Sequence, residues 1–457
     1  TIGKGVATDW NISDDGLTYT FKLRNNSHWA MFSGHKAVLG ENYEDTFDIT
    51  VKAEDFKFGI ERTLSEQTGS ADAPLFSAVK SISTPDDFTI VFNLSYADDN
   101  FLYALTNPGA MPCDEEFFNL TNGKYGLDAK YLLCNGPFHV SKWTEKTSVK
   151  LAKNNEYNGE SSVSPSSVTF YINNDNSEVA DKMNSVTYDV AFLSSSQFSS
   201  IENKKDLNSV AVQNVTYSFI FNQNDNNYRN KNMRLAFCRS CDTSSLFDSQ
   251  SDISKADGIV PPSCKIGGED YRNGNAAELL SYDETLAKKN FNDALLELGS
   301  SSVETTILCT EQYEPFVKQM VQKLQKTLGV KFVSTVKVVS ESDLEAAVND
   351  GNYSVAFYPF KAKSSFAGEI IEVFDQNNIF GYESDVLSQK IRNIKNNSGS
   401  LEGERSAVAD AENYLVSEAV IMPVFYENSY FVTSKKTSGI YFYSSADNVC
   451  FINAKKS

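Results

Sequence analysis

Residues 305–339 read TTILCTEQYEPFVKQMVQKLQKTLGVKFVSTVKVV. Thr305 to Leu308 form a short run rich in β-branched residues, the mark of a strand. From Tyr313 to Leu328 the period changes. Phe316, Met320, Val321, Leu324 and Leu328 fall on one stripe of a helix. Gly329 then supplies a helix stop, and Val330 to Val339 is a second strand. A crossover of this length returns the second strand parallel to the first, whereas a hairpin needs only a few residues. The segment therefore predicts a mixed or parallel sheet covered by helices.

The same alternation extends on both sides. Thr285 to Leu298 is an amphipathic helix with Ala287, Phe291, Ala294, Leu295 and Leu298 facing inward and Gly299 as its cap. Tyr353 to Tyr358 and Ile421 to Tyr426 read as short buried strands. The first part of the chain differs: Asp14-Asp15-Gly16 turns it, and Leu17 to Arg24 alternates apolar with polar. A helix begins at about Ala53, with Ala53, Phe56, Ile60 and Leu64 on one face and Glu54 and Asp55 at the positive end of its dipole. Phe88 to Leu94, Phe138 to Trp143 and Ser148 to Ala152 are further strands, and Val168 to Ile172 and Val215 to Phe221 read as buried ones. The polar stretch Asn222 to Asn232 is the predicted crossing between lobes.

The chain has 457 residues, more than one core usually encloses, so two or three domains are expected. Its 60 acidic residues outweigh 41 basic ones, for a net charge of −19. Phosphate backbones would repel such a chain, and pairs such as Lys435-Lys436 make no basic patch, so nucleic acid is not an expected partner. No apolar run approaches the roughly 18 residues that a spanning helix needs. The aromatic share of 12% is carried by 31 Phe and 22 Tyr, which serve cores and pocket walls alike. Seven cysteines are too widely spaced for a small disulfide framework; ordinary thiols, or one or two bridges such as Cys113 with Cys134, are expected. Cys238-Arg-Ser-Cys241 has metal-ligand spacing but neither a second such pair nor paired histidines to complete a zinc site, so no metal and no cofactor is expected.

Catalytic motifs are missing too. There is no phosphate-binding glycine loop, no dinucleotide fingerprint, no H-E-x-x-H and no G-x-S-x-G. Ser-x-x-Lys occurs at Ser33–Lys36, Ser77–Lys80 and Ser334–Lys337, at chance frequency and without a Lys-Thr-Gly strand. His28, His35 and His139 stand apart in structural settings, which also disfavours nickel binding. The sequence predicts no enzyme.

Several segments, in order, resemble the oligopeptide/dipeptide/nickel class of extracellular solute-binding proteins that serve ABC importers (family 5). They are Ala7 to Arg24, Trp29 with Ala53 to Phe56, Asn135-Gly136-Pro137-Phe138 with Trp143, Leu151 to Tyr157, Asn230 to Asp242, Phe316 to Val330, and Ile421 to Tyr426. The resemblance implies an α/β, two-lobed periplasmic-binding-protein-like fold of the class II type with an extra small α+β domain. It implies residues 1–132 as that extra domain, 133–230 plus 427–457 as the first lobe, and 231–426 as the second. It also implies that relatives carry a further N-terminal segment, so this chain looks trimmed. The function implied is extracytoplasmic capture of peptides, as a periplasmic protein or a cell-surface lipoprotein. A monomer would close about a hinge and deliver its ligand to a membrane permease. Alternatives are an oligosaccharide binder of the same fold, or a receptor or adhesion protein that has lost transport.

Carried over by resemblance, the ligand contacts are Ser194, Ser195, Ser196, Tyr217, Phe219, Tyr358, Phe360 and Tyr426. The family's aromatic-x-x-acid element, whose carboxylate pairs with a peptide's amine, aligns with Phe360-Lys361-Ala362-Lys363. Lys363, or Lys361 if the register slips, stands where relatives carry an aspartate. A lysine repels an ammonium, so free-amine anchoring is expected to be lost and the ligand to be acidic, N-blocked or not a peptide.

Overall fold

The computed structural model describes residues 2–457 apart from 71, 99–100, 160, 173–175, 244–245, 248–250, 362–365, 377, 398–399 and 444–447. Packing divides the chain into two units. One is Thr1–Asn174 with Thr437–Tyr441 and Cys450–Ser457; the other is Asp175–Lys436 with Phe442–Val449.

In the first unit, β1 (Ala7–Ile12), β2 (Thr18–Leu23), β3 (Val79–Asp86) and β4 (Thr89–Leu94) form an antiparallel sheet of order β1-β2-β4-β3. Alternation puts Tyr19, Phe21 and Leu23 of β2 and Ile90, Phe92 and Leu94 of β4 into one core with Ile60 of the helix Ala53–Leu64. That helix starts on a capping box in which the Asp55 carboxylate accepts the Lys52 amide at 2.7 Å. Gly59 sits mid-helix because a β-carbon there would collide with the Met111 carbonyl. A satellite core holds Trp29, Val51, Phe117 and Leu133. Beside it His35 is buried, its Nε2 3.2 Å from the Leu132 carbonyl and its ring against Phe32 and Phe117. The unit also holds the three-stranded sheet of β5 (Phe138–Thr144), β6 (Ser148–Lys153) and β7 (Ser167–Tyr171). Strand β7 is not the buried strand expected: Phe170 and Tyr171 are exposed, with Phe170 against Phe451 at 5.6 Å.

The second unit contains two sheets. The smaller, of order β8-β18-β9, joins β8 (Val190–Ser194), β9 (Leu207–Val212) and β18 (Ser429–Ser434). The larger runs β11-β17-β10-β16-β14-β15, from β10 (Val215–Phe221), β11 (Ile253–Lys255), β14 (Val303–Thr310), β15 (Phe332–Val339), β16 (Val355–Lys361) and β17 (Ile421–Glu427). A two-residue hairpin of β12 (Lys265–Ile266) and β13 (Glu269–Asp270) lies apart. Strands β14 and β15 are parallel through the helix Glu314–Leu328, as the 305–339 pattern requires, and β14 is parallel to β16. Gly299 ends the helix Glu284–Leu298 in a left-handed conformation, φ 63°. Strand β10 is antiparallel to both neighbours, and its register against β17 slips next to Pro423, which has no N–H for the ladder.

Helices cover both faces. On one side, those of 231–239, 284–298 and 314–328 pack over Phe219, Phe221, Phe357 and Phe425. On the other, Asp385–Asn396 and Leu401–Ser417, which the sequence reading did not identify as helices, pack over Ile220, Ala356, Phe360 and Ile421. The helix Leu401–Ser417 carries Glu412, 1% exposed, whose carboxylate accepts the amides of Ile259 and Val260 (2.7 and 2.9 Å), the Tyr271 hydroxyl (3.0 Å) and both terminal nitrogens of Arg272. Gly258 is required here, because a β-carbon would strike the Arg272 guanidinium and this carboxylate.

The stretch Asn222 to Asn232 does not carry the chain between sheets. Asn222 is buried and donates to the Gly351 and Tyr353 carbonyls, both at 2.8 Å, so the segment is sewn to the larger sheet. All seven cysteines are free thiols, and the Cys113–Cys134 bridge is not formed; Cys113 Sγ instead accepts from the Arg62 guanidinium at 3.5 Å. Cys238 and Cys241 lie in the larger unit's core, where burial pushes each thiol up to about 12. Among the described residues no helix is long and apolar enough to cross a membrane.

Two stability predictions follow from these cores. Glu412→Ala strands a buried guanidinium and two buried amides, and is expected to cost about 3–5 kcal/mol in urea unfolding. A cost below about 1 kcal/mol would contradict this account. Burial holds the His35 imidazole down to about 4. Its folded value lies below its unfolded one, so its stabilising contribution is complete above about pH 6.5 and is lost as pH falls toward 4. The advantage of wild type over His35→Gln in thermal unfolding should therefore shrink by on the order of 3 kcal/mol between pH 7 and pH 4. An advantage that stays constant with pH would refute it.

Candidate functional site

The larger and smaller sheets of the second unit are joined by two short crossings. Strand β9 ends at Val212 and β10 begins at Val215, so Gln213-Asn214 is one; β17 ends at Glu427 and β18 begins at Ser429, so Asn428 is the other. Side chains bind the two crossings to each other. Gln213 Nε2 donates to Asn428 Oδ1 at 2.7 Å and to Ser254 Oγ at 3.0 Å, and Ser254 Oγ donates to Asn428 Oδ1 at 3.0 Å. The Asn428 amide donates to the Asp252 carbonyl at 2.7 Å, and its Nδ2 to the Ser251 carbonyl at 3.0 Å.

Both crossings leave the larger sheet at one edge. There β16 ends at Lys361 opposite Val215, and β17 ends at Glu427 one residue past the Thr216–Tyr426 pair. Strands β14, β15 and β16 run parallel and end toward this same edge, the usual place for ligands on an open α/β sheet. At the ends of β14 and β15, Thr310, Glu311, Gln312, Ser340, Glu341 and Asp343 line a recess of about 570 Å³. Nearby, the Tyr217 ring packs 4.4 Å from Tyr313 and 5.0 Å from Phe425. Tyr313 accepts from Gln312 Nε2 at 3.1 Å and donates to Glu427 Oε1 at 2.8 Å. Burial raises both phenols above their ordinary range, so they stay neutral and keep a proton to donate. The edge therefore offers hydroxyls, a carboxylate, a lysine and aromatic faces, a set suited to non-covalent contacts with a polar ligand.

Most of the residues expected to contact ligand lie near this edge, but the sheet separates them. Strand pairing puts Tyr217 and Phe219 on one face and Tyr358, Phe360 and Tyr426 on the other. Phe219 is fully buried against Phe237 and Phe357. Phe360 is buried against Phe374 and Phe380. Tyr426 is buried, its hydroxyl accepting from the Asp257 amide at 3.1 Å and donating toward the Gly258 carbonyl at 3.4 Å. Tyr217 and Tyr358 are part-buried, and Lys361 is exposed. Lys363 lies outside the described residues.

Ser194, Ser195 and Ser196 open the helix Ser195–Ser200 in the smaller sheet, with Ser194 as its cap. The Ser195 amide donates to the Asn428 carbonyl at 3.3 Å, while Ser196 donates its amide and hydroxyl to Asp252. The residues that make the joint, Gln213, Ser254, Asn428 and Asp252, were not among the expected contacts. Their signal was present: Gln213-Asn214 and Glu427-Asn428-Ser429 are short polar interruptions between strand-like segments.

Solved structures with this architecture include the substrate-binding domain of an oligopeptide ABC transporter from Bacillus anthracis str. Ames and Listeria monocytogenes OppA bound to peptide. The first superposes with a TM-score of 0.76 at 20% identity, over 99% of this chain and 90% of the other. The second gives 0.76 at 21% identity, over 100% and 90%. The fold is thus the two-lobed, α/β periplasmic-binding-protein type that the sequence led us to expect. Among curated relatives, Dipeptide-binding protein DppE of Bacillus subtilis (strain 168) is 23% identical over 95% of this chain and 80% of its own length. The family model described as bacterial extracellular solute-binding proteins, family 5 Middle, matches residues 1–379, and the chain belongs to that family.

Proposed function

We propose that this protein captures peptides outside the cytoplasm and hands them to the membrane permease of an ABC importer, binding without chemical change. The observation that carries this is the pair of short, mutually bonded crossings, Gln213-Asn214 and Asn428, at the ligand-favoured edge of the larger sheet. Two covalent connections close together permit rotation of one sheet body against the other, while the bodies themselves stay rigid. A ligand that touches both bodies then favours the closed arrangement by its differential affinity. Strand ends and loops at the edge suit an extended backbone, because main-chain hydrogen bonds accept any side chain. Membership of a solute-binding family, with relatives whose names record dipeptide and oligopeptide binding, supports peptides over sugars.

Of the contacts carried over, Ser194, Ser196, Tyr217, Tyr358 and Lys361 keep some surface; Ser194 caps a helix and Ser196 is bonded to Asp252, and we assign the ligand role to Tyr217, Tyr358 and Lys361. The exposed ammonium of Lys361 at the end of β16 repels another ammonium, so a free peptide amine gains nothing there. Calorimetric titration with a pool of short peptides, free and N-acetylated, tests both statements. Micromolar or tighter binding is expected, with acetylation weakening it by less than about threefold. Absence of binding to every peptide would remove the functional reading, and binding confined to free-amine peptides would remove the lysine argument.

A further inference from the structure

Asp252 lies just before the edge strand β11 of the larger sheet, and its hydrogen bonds reach in two directions. Its carbonyl takes the amide of Asn428, the crossing residue itself, at 2.7 Å. Its carboxylate takes Ser196 of the smaller sheet's helix twice, from the amide to Oδ1 and from the hydroxyl to Oδ2 at 2.7 Å. Hydrogen bonds to a carboxylate are roughly twice as strong as neutral ones, and this pair is bidentate. The Gln213–Asn428–Ser254 triad lies between the crossings and ties them together. The Asp252–Ser196 pair instead joins the two bodies beyond the crossings. Rotation of one body against the other moves Ser196 relative to Asp252, and a displacement of about 1 Å already takes both contacts out of hydrogen-bonding range.

We propose that Asp252 and Ser196 form a clasp that sets the resting angle between the larger and smaller sheets, so that Asp252 tunes ligand affinity without touching ligand. Ser196 thereby changes from a ligand contact to a positioning residue. The proposal rests on the hinge reading above. Its physical content is independent of what the ligand is.

The test is pulsed dipolar spectroscopy on the full chain, with spin labels on non-natural residues replacing the exposed Ser209 of β9 and Thr335 of β15, so that the seven native thiols remain untouched. Without ligand, Asp252→Ala is expected to shift or broaden the distance distribution. Ser196→Ala should do so less, because it removes one of the two bonds, and the double variant no more than Asp252→Ala alone. Peptide affinity of Asp252→Ala should change by about threefold or more, as a shifted population of binding-competent protein requires. A wild-type distribution in Asp252→Ala overturns the clasp. So does altered affinity with an unaltered distribution, since that would make the pair a direct ligand contact. If wild type binds no peptide, the transport reading fails while the ligand-free distances still decide the clasp. Asp252→Asn, which keeps shape and removes charge, guards against misfolding and should fall between wild type and alanine.

Discussion

The second unit depends on one joint, where two lengths of backbone, each of one or two residues, cross between sheets and are bonded to each other by side-chain amides. Gln213, Asn428 and Ser254 share their donors and acceptors, so neither crossing can slide without the other. Amide–amide hydrogen bonds are modest in net energy but costly to leave unmade when partly buried. A rotation about the joint that keeps the triad intact would break none of these bonds. The three-stranded and six-stranded sheets can then each be rigid without the whole being so.

Rigidity on the larger side comes from burial on both faces of one sheet. Tyr217, Phe357 and Phe425 pack with helices on one face, and Phe360, Phe374 and Phe380 form a second aromatic stack on the other. The loop beneath Tyr426 is fixed by Glu412, whose four partners leave no lone pair idle and no amide stranded. A buried ion pair is rarely a net gain over apolar packing, but it specifies one arrangement. Here the arrangement it specifies holds the floor under the strand end that carries Glu427.

The groups at the edge are hydroxyls, a side-chain amide, a carboxylate and aromatic faces. Two tyrosines kept neutral by burial, one of them donating to the Glu427 carboxylate, make directional contacts. Gln312 completes that chain by donating to Tyr313. The thiols of Cys238 and Cys241, at the buried end of a helix and held in the protonated state by burial, take no part in it.

Periodicity alone determined the strand–helix–strand unit of 305–339, the amphipathic helix closed by Gly299 and two strands of the first sheet, β2 and β4, because side-chain spacing reports a local backbone geometry directly. It also placed β10 and β17 as buried strands. It did not reveal that they are neighbours, that Tyr217 and Tyr426 therefore face opposite sides, or that Asn222 is held by the Gly351 and Tyr353 carbonyls and does not cross. Polar stretches look alike in sequence whether they hinge or anchor, since the difference lies in partners about 130 residues away. The same is true of Ser196 and Asp252, 56 residues apart and unremarkable until the sheets are assembled. Sequence set the elements and the family; only tertiary structure decided which polar residues join the two bodies, because hydrogen-bond partners are chosen by proximity and not by position in the chain.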